Sequence, residues 1–192
     1  MTRQEQKEQR RQQIRMKALE LFVTKGFSET KISDIAGELN ISVGLLFHYY
    51  ESKEQLLLEL VQMGVEGTKR ADQGPKDDPL AYFRIFLCSL FDAAGESPWI
   101  YQLFVLMSQA MRLGMPANIR ELALSVAQVE RSVAVIEKGQ AMGLIREGDP
   151  LTLSHTYWSS VQGIMEQHLI TPDIPFPEPE WVLAILKAPG AG

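Results

Sequence analysis

The chain has 192 residues, 45% of them hydrophobic and 22% charged, which is typical of a globular protein of one or two domains. It has no run of about 18 apolar residues that could span a membrane, and its polar first residues do not resemble a secretory signal, so we expect a cytoplasmic protein with no membrane partner. The net charge of −5 argues, for the chain as a whole, against a nucleic-acid partner.

The charge is unevenly distributed, however, and the first 17 residues are basic. A positive segment of this kind can contact the phosphate backbone of a nucleic acid while the acidic remainder stays away from it. It can equally be a solvated, frayed end of the chain, and the charge alone does not decide between the two. The basic residues are Arg3, Lys7, Arg10, Arg11, Arg15 and Lys17, against Glu5 and Glu8.

Helical periodicity predicts two helices before residue 40. Apolar residues recur every three or four positions in 14–24, and Gly26 then favours a stop. The same spacing predicts a second helix over 32–39, for which Thr30 is the expected N-cap. Asn40 can adopt the left-handed conformation that ends a helix.

Helices are also predicted throughout the rest of the chain. A third is expected from its N-cap Ser42 to Tyr49, and a fourth begins within 51–54 and continues to Val65. The breaker-rich segment 71–79 then marks a linker. No hairpin, βα pattern or internal repeat is present, so the expected fold is all-α. The helices predicted beyond the linker cover 80–94, 99–113, 116–142, 151–170 and 179–187.

The span 31–50 has the layout of two short helices joined by a tight turn. This is the minimal device for reading a duplex, because the second helix can lie in the major groove while the first braces it across the backbone. Its apolar positions would pack the two helices together, which leaves a set of residues partly or wholly outward. That set is Ser33, Ser42, Val43, Gly44, Leu45, Phe47, His48 and Tyr49.

A series of motifs continues without gaps over roughly residues 10–58. They are Ala18-Leu-Glu-Leu-Phe, Gly26-Phe27, Thr30, Asp34-Ile35-Ala36, Ile41-Ser42, Gly44, Leu46, Phe47-His48-Tyr49-Tyr50 and Ser52-Lys53-Glu54-Gln55-Leu56-Leu57. This order resembles the DNA-binding domain of the tetracycline-repressor (TetR) family of transcriptional regulators. The resemblance implies an N-terminal three-helix helix-turn-helix domain at residues 1–52 and a helical ligand-binding and dimerisation domain at 53–192.

The resemblance also implies roles for the outward residues. Ser33, Val43, Gly44 and Phe47 would approach base edges, whereas Leu45, His48, Tyr49 and Lys53 would lie against the sugar-phosphate backbone. The chain departs from the family pattern at three positions. Leu45 replaces a hydroxyl residue, Phe47 replaces Tyr, and Lys31 adds a charge at the edge of the expected DNA-binding surface. For Phe47 and Tyr49, packing in the core is the alternative to a contact with DNA.

The same resemblance implies a homodimer that binds a palindromic operator and a small, mostly hydrophobic effector. Ordinary core packing is the alternative for every residue assigned to the dimer or the pocket. The expected dimer interface uses Thr156, Ser160, Gly163 and Gln167 of the helix before the proline-rich turn, with Trp181 and Ile185 of the final helix, in a four-helix arrangement. The expected pocket lining is Phe86, Phe91, Trp99, Tyr101, Phe104, Met107 and Met111.

These patterns favour a repressor that an effector releases from its operator. The alternative is a helical small-molecule-binding or protein-interaction module that does not bind DNA. We expect no enzyme, no cofactor and no metal site, because no catalytic constellation or ligand-spaced His and Cys cluster is present. The single cysteine, Cys88, lies among apolar residues and is expected to be a buried thiol.

Overall fold

The computed structural model describes residues 2–72, 74–75 and 77–190, and this part of the chain contains helices but no strand. The all-α prediction is confirmed. The helices are α1 (Arg3–Thr24), α2 (Ile32–Glu38), α3 (Val43–Phe47), α4 (Lys53–Ala71), α5 (Pro79–Glu96), α6 (Trp99–Ala110), α7 (Ala117–Leu124), α8 (Gln128–Arg131), α9 (Val133–Ala141), α10 (Pro150–Ile170) and α11 (Pro179–Leu183).

The chain divides into two compact units. The first contains the residues up to 64 together with 102–123, and the second contains 65–101 together with the residues from 124 onward. In the first unit α2 packs against both α1 and α3. In the second unit α10 packs against α8, α9 and α11, and α5 packs against α9 and α11. The predicted division between residues 52 and 53 stays a prediction.

The first unit is held together by apolar side chains from each of its helices. Ile14, Ala18 and Phe22 are fully buried along one face of α1, as their spacing predicts. Leu46 of α3 and Leu60 of α4 are also fully buried. Burial of a leucine or phenylalanine contributes about 1.5–3 kcal/mol, so this small core fixes the short helices that carry the candidate site.

Helix α1 begins much earlier than the sequence pattern predicts. The prediction started at residue 14, whereas the helix begins at Arg3. The reason is a reciprocal cap, in which the backbone N–H of Glu5 donates to the Thr2 hydroxyl at 3.2 Å and the Thr2 backbone N–H donates to the Glu5 carboxylate at 2.7 Å. The segment is therefore an exposed helix with a reciprocal cap at its start.

The single helix predicted over 116–142 is wrong, because three helices, α7, α8 and α9, replace it. Side chains of α10 satisfy polar groups in the interrupted region. The Ser154 hydroxyl donates to the carbonyl of Val129 at 2.7 Å, and the Trp158 indole N–H donates to the Ser132 hydroxyl at 2.9 Å. These hydrogen bonds depend on tertiary structure, so helical periodicity could not reveal the breaks.

The last predicted helix is also shorter than expected. Helix α11 has five residues and ends at Leu183, although the pattern continued to residue 187. After it the backbone turns, and Lys187 forms an isolated antiparallel bridge with Ile145. The Arg146 guanidinium donates to the carbonyl of Ala184 at 2.7 Å, which fixes this end of the chain.

The second unit has an aromatic core. The rings of Phe83 and Tyr157 lie 4.9 Å apart, and those of Phe86 and Trp158 lie 4.9 Å apart, both in edge-to-face geometry.

None of the helices in the described ranges is both long and apolar enough to cross a membrane.

Beside that core lies the Asp72 cluster, which consists of Asp72, Tyr82 and Arg131. Asp72 follows α4 directly, and its side chain is only 5% exposed. The Tyr82 hydroxyl and the Arg131 guanidinium donate to different oxygens of its carboxylate. Burial, followed by the bond to Asp72, raises the pKa of Tyr82 above its ordinary value. The cluster therefore ties the end of α4 to α5 and α8.

Candidate nucleic-acid interface

The first helix of the predicted helix-turn-helix is α2, and its start differs from the prediction. Lys31 is the N-cap, and its backbone N–H donates to the Asp34 carboxylate at 3.2 Å. The expected cap, Thr30, is instead buried, and its hydroxyl donates to the carbonyls of Gly26 at 2.7 Å and Leu21 at 3.3 Å. Thr30 thus closes the loop after α1 and does not cap α2.

The turn between α2 and α3 forms as its residues predict. Asn40 has a φ of 52°, in the left-handed region that asparagine tolerates. The backbone N–H of Ile41 donates to the carbonyl of Ala36 at 3.0 Å, which closes the end of α2. The Ser42 hydroxyl then accepts from the backbone N–H of Leu45 at 3.1 Å and caps α3, as predicted.

Helix α3 buries Leu46, and its exposed face is formed by Val43 and Phe47, with Leu45 exposed on another side of the helix. Leu46 is fully buried, whereas Val43, Leu45 and Phe47 are 39%, 41% and 49% exposed. Phe47 is therefore not a core residue, and the alternative considered for it is wrong. Tyr49 is half-buried, and the rest of the proposed DNA contacts on and beside α2 and α3 are exposed, namely Lys31, Ser33, Ser42, Gly44 and His48.

Gly44 leaves the exposed face of α3 flat. A Cβ atom built there would have the Ser42 hydroxyl, at 4.0 Å, as its nearest neighbour. The fold itself does not require glycine at this position. The exposed face of α3 thus offers methyl groups and a phenyl ring, and the Ser42 hydroxyl at its start and the Ser33 hydroxyl on α2 are also exposed; such groups suit contacts with thymine methyl groups and base edges.

Lys53 has a role inside the unit that the sequence did not reveal. Its ammonium group donates to the carbonyls of Phe27 at 2.7 Å and Thr30 at 3.0 Å, and lies 4.3 Å from the centroid of the Phe27 ring. Lys53 therefore joins the start of α4 to the loop between α1 and α2. Its predicted contact with the sugar-phosphate backbone stays a prediction.

A partly buried cluster of Arg11, Arg15 and Glu59 joins α1 to α4. Arg11 and Arg15 each donate to a different oxygen of the Glu59 carboxylate, the first at 2.8 Å. The Arg11 guanidinium also lies 5.0 Å from the centroid of the Tyr50 ring, whose hydroxyl is 3.5 Å from the Arg11 carbonyl. Burial raises the pKa of Glu59, but the two guanidinium groups outweigh it and hold the pKa below its ordinary 4.5. Burial is also the main cause that raises the pKa of Tyr50 to about 12.

Substitution of Glu59 by Gln is expected to lower the free energy of unfolding by about 1–2 kcal/mol at pH 7, because two guanidinium groups lose their partner. The pKa of this carboxylate is lower in the folded than in the unfolded protein. Its contribution to stability is therefore full at pH values above the unfolded-state pKa, and it is lost as the pH falls through the folded-state pKa. Urea unfolding should therefore show the difference from wild type shrinking below about pH 4.5. Glu54→Gln, on the exposed face of α4, is the control; an equal, pH-independent loss in both variants would contradict the assignment.

The residues predicted to line an effector pocket fall into both units. Phe86, Phe91, Trp99 and Tyr101 belong to the second unit, and Phe104, Met107 and Met111 belong to the first. Most are buried. Phe86 packs against Trp158, and Met107 covers Gly64, where a Cβ atom would collide with its sulfur. The pocket stays a prediction.

The residues predicted for the dimer interface lie mainly on the surface of the second unit. Thr156, Gly163 and Gln167 of α10 are exposed, and Trp181 of α11 is 71% exposed. Ser160 and Ile185 are half-buried. Helix α11, with five residues, is shorter than the helix over 179–187 predicted for the four-helix arrangement, and the dimer interface stays a prediction.

A groove between α10 and α11 was not foreseen from the sequence. It has a volume of about 540 Å³, and its lining includes Gln167, His168, Phe176 and Trp181. The His168 ring stacks on Phe176 with centroids 4.2 Å apart and meets the edge of Tyr101 at 4.9 Å. The sequence signal for it is the proline-rich turn at 172–177, which by itself predicts only a helix break.

No group of three or more His, Cys, Asp or Glu side chains that could hold a metal ion occurs within residues 2–72, 74–75 and 77–190. Cys88 is half-buried.

Comparisons with known proteins identify a family for one segment of the chain and similar structures for the fold. Residues 14–60 match the family model described as bacterial regulatory proteins, tetR family. The chain is 46% identical over 44 residues to an uncharacterized HTH-type transcriptional regulator, YuxN of Bacillus subtilis, which is 23% of this chain but only 15% of YuxN. It is 25% identical over 162 residues to the HTH-type transcriptional repressor NicS of Pseudomonas putida, covering 81% of this chain and 74% of NicS.

Solved structures support the fold. The crystal structure of AibR, in complex with isovaleryl coenzyme A and operator DNA, has a TM-score of 0.67 and 17% identity, covering 91% of this chain and 94% of AibR. The matched segment contains the whole of α2, its turn and α3, whose exposed face is described above. Residues 14–60, which carry α2, its turn and α3, therefore match the tetR family of bacterial regulatory proteins, and the chain is similar over 81% of its length to an HTH-type transcriptional repressor.

Proposed function

We propose that this chain is a repressor that binds a palindromic operator as a homodimer in the cytoplasm and is released by a small, mostly hydrophobic effector. The observation that carries the proposal is that α3 exposes three apolar side chains, Val43 and Phe47 on one face and Leu45 on another, while Leu46 is fully buried. A capped turn fixes this face on a packed unit, as recognition of a major groove requires. The similarity to the repressor NicS supports repression in preference to activation.

The homodimer is proposed to form through α10. Its outward residues Thr152, Thr156, Ser159 and Gly163 are exposed, uncharged and small, and they recur at intervals of three and four positions along the helix. Trp181 lines the groove together with Gln167, which lies further along α10. Since α11 is short, we expect a pair of α10 helices with the proline-rich turn at its margin, in place of the four-helix arrangement.

The effector class is supported by the apolar character of the second unit and by a structural neighbour. AibR was crystallised with both isovaleryl coenzyme A and operator DNA, which shows that the fold can serve both ligands in that protein. An effector that binds one conformation of the dimer more tightly would change the separation of the two α3 helices. If the two α3 helices of a dimer are not about 34–36 Å apart, they cannot enter successive major grooves, and the affinity for the operator falls.

Selection from a randomised duplex library with the full-length chain tests this function. We expect enrichment of a palindromic sequence, a linear decrease of log affinity with log salt concentration, and a protein mass of twice 21.6 kDa in solution. A library that shows no enrichment, together with no salt-dependent binding to any duplex, would refute the proposal in favour of a module that does not bind DNA.

A further inference from the structure

The first turns of α1 carry opposite charges on opposite faces. Arg3, Lys7 and Arg10 are spaced by four and three residues, so on a helix of 100° per residue they lie within about 60° of one another. Glu5 and Glu8 lie about 100° or more away from each of them. The basic stripe, defined as Arg3, Lys7 and Arg10, extends about 10 Å along the helix axis.

The charges of the basic stripe are not used within the unit. Arg11 and Arg15 are bound to Glu59, and Lys17 is bound to Glu20 at 2.7 Å. By contrast, none of the three residues of the basic stripe forms an ion pair with any residue that the structure describes. The acids between them are occupied, since Glu5 caps the helix and Glu8 binds Arg15 at 3.2 Å.

The basic stripe directly precedes the residue of α1 that contacts the segment after α3. It continues the face of α1 that Ile14 and Ala18 bury, so the three side chains point toward the side on which the rest of the unit packs. Arg11, the next residue along the chain, contacts Tyr50, which follows the outward residues of α3 within one turn. The ion pair with Glu59 holds this part of α1 in place.

We propose that the basic stripe is a second duplex contact, which binds backbone phosphates beside the segment contacted by α3 and does not read base sequence. This inference rests on the proposed function. Three cations spaced over about 10 Å match the phosphates of one strand. A lipid surface is a poorer partner, because residues 3–13 contain no apolar side chain to enter a bilayer.

The test is salt-dependent binding of the full-length chain to random-sequence duplex, measured by fluorescence anisotropy. The variant Arg3→Gln/Lys7→Gln/Arg10→Gln keeps helix-forming side chains and removes three charges. Each neutralised phosphate contributes about 0.9 to the slope of log affinity against log salt concentration. Removal of three charges should therefore decrease the magnitude of this slope by about 2.7 for each α1 helix bound to the duplex. The preference for the selected operator over random duplex should be unchanged, because phosphate contacts carry no sequence information.

The control variant Arg70→Gln/Arg112→Gln/Lys138→Gln removes three exposed charges that form no ion pair in the described residues. Equal slopes for the two variants would overturn the inference and leave the proposed function intact. A changed operator preference in the α1 variant would overturn it by indicating base contacts. If the wild type binds anionic vesicles and the α1 substitutions abolish that binding, the partner of the basic stripe is a membrane surface and not a duplex. If the wild type binds no duplex, both proposals fail together.

Discussion

Substitution of Phe47 by Asp is expected to weaken operator binding by roughly 100-fold, a cost of about 3 kcal/mol. Phe47 is 49% exposed on α3, so the fold does not need its ring for packing. A carboxylate at this position would face the negative potential of the groove and lose its hydration without gaining a partner. Fluorescence anisotropy with the selected operator would measure the loss, and circular dichroism should show an unchanged helix content.

The control is Leu113→Asp, which adds the same charge at an apolar residue that is 89% exposed and lies outside the candidate interface. Its effect on affinity should be small and arise only from net charge. Comparable losses in the two variants would mean that Phe47 does not face the duplex, and the assignment of the exposed face of α3 would be wrong.

Substitution of Asp72 by Ala is expected to lower the free energy of unfolding by about 2–3 kcal/mol. Removal of one member of a buried pair typically costs about 3–5 kcal/mol, and the lower value applies because Arg131 is 41% exposed. The substitution leaves the Tyr82 hydroxyl buried without its acceptor and the Arg131 charge without its partner. Urea unfolding monitored by circular dichroism at neutral pH would measure the change.

Two further variants separate the contributions to this cluster. Tyr82→Phe removes one hydrogen bond but keeps the ion pair, so its cost should be about 1 kcal/mol. Asp92→Ala, at an exposed position on α5, should change stability by less than about 0.5 kcal/mol. If Asp72→Ala costs no more than Asp92→Ala, the Asp72 cluster does not hold the end of α4.

The local parts of the candidate site could be predicted from the sequence. Ser42 and Asn40 act through their own backbone neighbourhood, so residue type and position were sufficient to place the turn and the start of α3. The spacing of apolar residues likewise placed Leu46 inside. These features need no information about distant parts of the chain.

The errors have two physical origins. The start of α1 was missed because apolar periodicity begins at Ile14, whereas the helix is initiated by the hydrogen bonds between Thr2 and Glu5. The breaks within 116–142 and the burial of Thr30 depend on partners far away or across a loop. The engagement of Lys53 with backbone carbonyls is of the second kind, since 23 to 26 residues separate donor and acceptors.

The open space around Gly44 bears on how operator preference can diverge within the family. A small side chain at this position meets no steric obstacle from the chain itself, and Ala in a helix is favoured over Gly by about 1 kcal/mol. Substitution would therefore leave folding intact and, if α3 enters the major groove as proposed, place new atoms against the bases. Duplicated copies of such a gene could acquire separate targets through one mutation, with no compensating change elsewhere in the scaffold.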